Sequence, residues 1–265
     1  MHPTIEIFGK TIGTYGLCAA AGLIAACTAA TLLGKKKGYL AQDVLVIMLV
    51  CAAGMFIGGH ILYGITQMNG IVSLFKEIDT ISFIDFAKEL AICFGGMVYY
   101  GGFLGVLAAL AVYCHFSKTA SFKSFIDIFA VCIPLFHVFG RIGCFFAGCC
   151  YGIESSWGFL ITDNEINPSI NGVVRLPIQL IEAACNLLIF LFLLFLYKKE
   201  KAKEKLIFIY MLIYPACRFI LEFFRGDEIR GFIFGLSTSQ FISIILFIVS
   251  IVHLLVQKKR YMMGS

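Results

Sequence analysis

Residues 177–205 read PIQLIEAACNLLIFLFLLFLYKKEKAKEK. The first twenty-one hold a single carboxylate, Glu182, and no lysine or arginine; five lysines then fall within eight positions. A bilayer's hydrocarbon core is about 30 Å thick and is spanned by about twenty apolar residues as a helix. The run has no period-two alternation, so it reads as a membrane-spanning helix rather than a strand. The lysines read as its cytoplasmic flank.

The same pattern recurs outward from this segment. Spans are expected near 13–33, 44–66, 91–113, 126–147, 177–197, 206–224 and 232–256. Lysine clusters follow alternate spans: Lys35, Lys36 and Lys37; Lys118 and Lys123; Lys198, Lys199, Lys201, Lys203 and Lys205; Lys258 and Lys259 with Arg260. They hold thirteen of the twenty-one Lys and Arg residues. The expected architecture is therefore an all-α integral membrane protein of about seven transmembrane helices. Its N terminus lies outside and its C terminus in the cytoplasm. Residues 1–265 form one membrane domain, with 148–176 as a small extracytoplasmic cap rich in turn formers (Asn164, Asn167, Pro168, Asn171, Gly172). Residues 67–90 are expected as an amphipathic interfacial helix. The first apolar run is long and ends in a lysine stop, unlike a cleaved signal peptide.

Composition excludes a soluble domain. The 265 residues are 60% apolar and 14% charged, with mean hydropathy +0.92; soluble domains run near 25% charged. The net charge of +5 needs no nucleic acid to explain it. Most of the eleven cysteines sit in apolar runs, where a free thiol behaves as a small hydrophobe. The cluster at Cys144, Cys149 and Cys150 stands apart.

Ionisable residues at membrane depth are costly and mark functional sites by default. Arg218, Glu222 and Arg225 are spaced to share one helix face. Two guanidiniums with a carboxylate between them suit a phosphate, or form a structural ion-pair stripe. Gln179, Glu182 and Asn186 define a second face, able to orient an arginine or to join helices by hydrogen bonds. His60, Tyr63 and Gln67 follow the pair Gly58 and Gly59; a histidine such as His60 alone is more often a satisfied interior residue than a functional one. The stretch GGMVYYGG at 95–102 suggests a broken helix lining a cavity or an interfacial tyrosine belt.

Residues 139–152, FGRIGCFFAGCCYG, resemble the signature region of the prolipoprotein diacylglyceryl transferase family, with Gly140, Arg141 and Gly143 in place. GKTIGTYGL, which holds Tyr15, resembles the family's opening segment. GGHILYG, GGMVYYGGFLGV, RLPIQLIEA, CRFILEFFRG and LSTSQFISI resemble its later motifs, in order and along most of the chain. The resemblance implies a bacterial inner-membrane transferase that moves a diacylglyceryl group from phosphatidylglycerol to the lipobox cysteine thiol beside a prolipoprotein signal peptide, without metal or cofactor. It implies that Arg141 and Arg218 hold the leaving phosphate. Glu222, Arg225, Gln179 and Glu182 would orient the site, with His60, Tyr15, Gly140 and Gly143 near substrate.

This chain departs from the pattern within those motifs. Cys144 stands at an asparagine, Cys149 at a glutamate, Tyr100 at the histidine implied as base, Leu176 at the histidine before Pro177, and His60 where arginine is common. Three readings stay open. Tyr100 takes the base role; or a paralogue uses another acceptor, with a cysteine as nucleophile; or the chain binds or transports a lipid without catalysis. A disulfide within the cysteine cluster is open too. So is a zinc site with His137, although the spacing fits no known ligand signature.

Overall fold

A computed structural model describes residues 3–7, 9–117, 121–162, 164, 168–227, 232–233 and 235–263. Lys118 and Asn167 lie outside the described residues. The elements run β1 (Thr4–Ile7), β2 (Lys10–Gly13), α1 (Thr14–Lys36), α2 (Ala41–Thr66), α3 (Met68–Lys76), α4 (Phe83–Cys93), α5 (Tyr99–Phe116), α6 (Phe122–Ala147), β3 (Glu154–Leu160), β4 (Val174–Arg175), α7 (Ile178–Lys198), α8 (Leu206–Glu222), β5 (Phe232–Ile233), β6 (Leu236–Ser237) and α9 (Thr238–Met263). Among the described residues, six helices are long and apolar enough to cross a membrane: α1, α2, α5, most of α6, α7 and most of α9. The chain is a multi-pass membrane protein. At 17 residues α8 is the shortest of the long apolar helices, about 26 Å at 1.5 Å per residue.

The residues cluster into two compact units, 34–122 and the remainder. In the 34–122 unit, α2 and α5 pack backbone to backbone. Gly54 and Gly58 on α2 face Gly101 and Gly105 on α5, so that a Cβ added to Gly105 would collide with the Gly54 carbonyl and one on Gly58 with the Gly101 carbonyl. This is the small-xxx-small geometry that lets membrane helices approach closely. The expected third span, 91–113, is corrected here. Cys93 ends α4, the chain turns through Phe94–Val98, and the membrane helix starts at Tyr99. Hydropathy runs unbroken across the turn, which hid the break from a window average. The 67–90 segment, expected as one helix, is likewise two, α3 and α4; Ser82 caps α4 by accepting a hydrogen bond from the Ile84 N–H.

In the other unit, α8 packs on α7 and on α9. Gly22 on α1 sits against Phe136 and Phe139 of α6. The buried carboxylate of Asp127 on α6 accepts the backbone N–H groups of Glu204 (2.6 Å) and Leu206 (3.1 Å). It thereby caps the start of α8, where N–H groups have no intrahelical partner. Ser237 and Gln240 close a capping box on α9: Gln240 N–H donates to Ser237 Oγ (3.1 Å), and Ser237 N–H to Gln240 Oε1 (3.0 Å). Among the described residues, three short antiparallel hairpins add strand to the helical architecture. One, β3 with β4, lies in the segment expected as a cap.

Candidate active site

Glu182 is the centre of a buried charge cluster. Its side chain is 3% exposed and comes from the first turns of α7. Arg141 Nη2 from α6 lies 2.9 Å from Oε1, and Arg218 Nη1 from α8 lies 3.5 Å from Oε2. The Tyr214 hydroxyl (3.5 Å) and His137 Nε2 (3.9 Å) also approach Oε1. On α6, His137, Arg141 and Cys144 fall at spacings of four and three; on α8, Tyr214, Arg218 and Glu222 fall at spacings of four. Helical periodicity turns each set to one face.

The network runs on along α8. Arg218 Nη2 pairs with Glu222 Oε2 at 2.7 Å and donates to Ser239 Oγ at 3.3 Å. Arg225 Nη1 is 4.0 Å from Glu222 Oε2, and its fork closes on Asp227 at 2.9 and 2.5 Å. Burial works against the Arg225 charge, but the Asp227 hydrogen bonds outweigh it and hold the guanidinium above its usual range. Three guanidiniums and three carboxylates thus stand together. Even so, Arg141 Nε has no hydrogen-bond acceptor among the described residues, and Arg218 Nη1 has there only the 3.5 Å ion-pair contact to Glu182. Buried N–H groups of that kind are rare in proteins, and an anion's oxygens would satisfy them.

The cysteine cluster abuts this network. Gly148, at φ +70°, ends α6. Gly148 N–H donates to Phe145 O (3.2 Å) and Cys149 N–H to Cys144 O (3.1 Å), which is the Schellman pattern. Gln179 Nε2 holds the Cys149 carbonyl at 2.8 Å, and Asn164 Nδ2 holds that of Gly148 at 3.1 Å. The Cys144, Cys149 and Cys150 sulfurs all lie within 4.8 Å of one another, and all three residues are free thiols. Hydrogen bonds from Cys144 and Cys149, backed by the Arg225 and Arg141 charges, hold the Cys150 thiol below its ordinary range.

The strand segment joins the site through backbone. Gly152 bridges Arg225, and Gly226 N–H donates to Tyr151 O at 2.9 Å. Gly152 abuts the Leu176 carbonyl so closely that no Cβ fits.

A model of the prolipoprotein diacylglyceryl transferase family matches residues 3–256. The chain belongs to this family. It is 33% identical over 254 residues to the phosphatidylglycerol–prolipoprotein diacylglyceryl transferase of Clostridium tetani, covering 95% of this chain and 96% of that one. It is 34% identical to the second such transferase of Clostridium perfringens, over 92% and 90%, and 32% identical to that of Campylobacter curvus, over 96% and 93%.

Within this diacylglyceryl transferase family member, the expected site residues divide between the two units. Arg141, Arg218, Glu222, Arg225, Gln179, Glu182, Cys144 and Cys149 gather as described. Gly143 packs on Tyr15 and Cys18 of α1, whereas a Cβ at Gly140 would meet nothing within 4 Å. Tyr100 and His60 belong to the 34–122 unit. There the Tyr100 ring lies edge-on to Tyr99 at 5.5 Å, and His60 Nδ1 donates to the Phe94 carbonyl at 2.8 Å, tying α2 to the turn before α5. Sequence reasoning did not single out Tyr214, Ser239 or Asp227. Tyr214 sits four positions before Arg218, a spacing that pointed to it. Ser239 and Asp227 carry no comparable signal, because their partners are set by the chain's return.

Proposed function

We propose that this chain transfers a diacylglyceryl group from phosphatidylglycerol to the cysteine thiol of a prolipoprotein, the activity that its relatives' names state. The observation that carries the proposal is the meeting of Arg141 and Arg218 on Glu182, with the Nε–H of Arg141 left without an acceptor among the described residues. In the reaction, the thiolate sulfur attacks the glycerol carbon that bears the phosphate. A C–S bond forms and the C–O bond breaks, its electron pair going to the phosphate oxygen. Negative charge gathers on the departing glycerol phosphate, where preoriented guanidiniums act most strongly. Arg141 and Arg218 hold that phosphate, Glu182 and Glu222 aim the two forks, and Arg225 closes the row. Gln179 fixes the loop. Tyr15, Gly140 and Gly143 stand along the lipid's path.

Seven spans in a bacterial inner membrane suit this reading, with α8 as the seventh. Lysines follow both α7 and α9, so the two ends share the cytoplasmic side if α8 crosses between them. The N terminus is then outside and the C terminus cytoplasmic. The site lies toward the outer face beneath a 148–176 cap, within one membrane domain. The acceptor is engaged through its signal-peptide region.

The test is an assay in detergent with phosphatidylglycerol and a lipobox peptide, following release of glycerol phosphate. Release that depends on the peptide's cysteine is expected. Phospholipid binding without release would overturn the proposal in favour of a non-catalytic lipid binder.

A further inference from the structure

We propose that Cys144, Cys149 and Cys150 form a three-thiolate zinc site whose fourth position takes the acceptor's cysteine thiol, making the metal the activator of the nucleophile. This rests on the transferase reading above, and it departs from the family resemblance, which implies no metal.

Three observations carry it. First, the three sulfurs lie within 4.8 Å of one another. A zinc–sulfur bond of about 2.3 Å puts the sulfurs of a tetrahedral site about 3.8 Å apart, so modest side-chain rotation closes them on one ion. Second, the backbone builds the convergence. In a Schellman turn the residue three from the helix end meets the second residue beyond it; here those two are Cys144 and Cys149. Cys150, at φ +54°, follows in a left-handed conformation that brings its sulfur to the same point. Gln179 and Asn164 hold two carbonyls of this turn, the kind of outer support that fixes metal ligands. Third, among the described residues no fourth His, Cys, Asp or Glu joins the group. Structural zinc sites are closed by four protein ligands, whereas sites that do chemistry keep three and leave one position for substrate.

The chemistry matches the need. The reaction requires a thiolate, and a free thiol ionises near pH 8.5. A thiol that binds zinc gives up its proton outright. The proton passes to water, the zinc-bound sulfur attacks the glycerol carbon, the C–O bond electrons go to the phosphate, and the neutral thioether leaves the metal. Nothing is oxidised or reduced. Three protein thiolates and a substrate thiolate give the zinc complex a charge of −2, beside Arg141 and Arg225.

The experiment uses the full chain in detergent with thiols reduced. Zinc content is measured by mass spectrometry. Zinc is then exchanged for Co2+, whose thiolate charge-transfer absorption counts sulfur ligands. One metal per chain is expected, with absorption that grows when a lipobox peptide is added and does not grow with the same peptide carrying serine for cysteine. Chelation should lower peptide-dependent release at least about tenfold, the lower bound for disturbing a metal's support, and zinc should restore it. Cys149→Ser and Cys150→Ser should each weaken Co2+ binding and release together, with phospholipid binding as the check that they fold. No bound metal, a Co2+ spectrum indifferent to the peptide thiol, or release unchanged by chelation overturns the inference while leaving the transferase reading intact. Metal and thiol bound at the site but no glycerol phosphate released overturns the transferase reading, and the metal's role with it.

Discussion

Arg141 and Arg218 are joined through one carboxylate: Arg141 takes Oε1 of Glu182 at 2.9 Å, and Arg218 takes Oε2 at 3.5 Å. Two cations from α6 and α8 are held side by side on the first turns of α7. Removing the carboxylate while keeping its shape isolates what it does. Glu182→Gln leaves two buried guanidiniums facing each other, and loss of one partner from a buried pair costs about 3–5 kcal/mol. A lower unfolding temperature in detergent is expected. An unchanged one would mean that the Arg218 pairing with Glu222 suffices to hold the cluster.

Arg218→Lys keeps the charge and loses the fork that now reaches Glu182, Glu222 and Ser239 at once. A lysine cannot reproduce that planar geometry. Loss of one preoriented donor costs about 10²–10³ in rate, and transfer should fall by that much with phospholipid binding weakened far less. Equal losses in binding and rate would place Arg218 in ground-state binding instead.

Gly105→Ala tests the α2–α5 contact. The added Cβ would meet the Gly54 backbone, which cannot swing aside like a side chain. Overpacking of this kind costs about 1–3 kcal/mol. Thermal unfolding should show it, while Gly140→Ala, with open space at its Cβ, should leave stability unchanged. Any fall in transfer by Gly140→Ala would then report substrate beside Gly140.

Asp127→Asn tests the cap on α8. The carboxylate accepts two backbone N–H groups, and hydrogen bonds to a charged group contribute about 1.5–3 kcal/mol. Hydrogen exchange at the first turn of α8 should rise, with exchange in α7 unaffected.

These cases also mark what the sequence could tell. Six of the seven expected spans overlap helices long and apolar enough to cross a membrane, α1, α2, α5, α6, α7 and α9, because hydropathy is a property of single segments. The charged faces were legible too: Arg218 with Glu222, and Gln179 with Glu182, follow from helical spacing alone. Partnership across helices was not. That Glu182 serves both Arg141 and Arg218, or that Gln179 holds a cysteine carbonyl, depends on how three helices are rotated against each other. The break at 94–98 was hidden because a membrane helix and an apolar turn have the same hydropathy. Asp127 looked like one polar residue near a helix start, since its partners lie 77 and 79 residues away.

The charge cluster bears, finally, on how the chain is delivered into the bilayer during synthesis. An arginine at the centre of a helix costs about 3 kcal/mol on insertion. Arg141 on α6 finds its counter-ion on α7, the next long helix to be made. Arg218 finds Glu222 one turn away on α8 itself. Each parcel emerging from the ribosome, first α6 with α7 and then α8, can therefore cancel its own charge before it meets lipid. The sharing of Glu182 between Arg141 and Arg218 can wait until the parcels have docked.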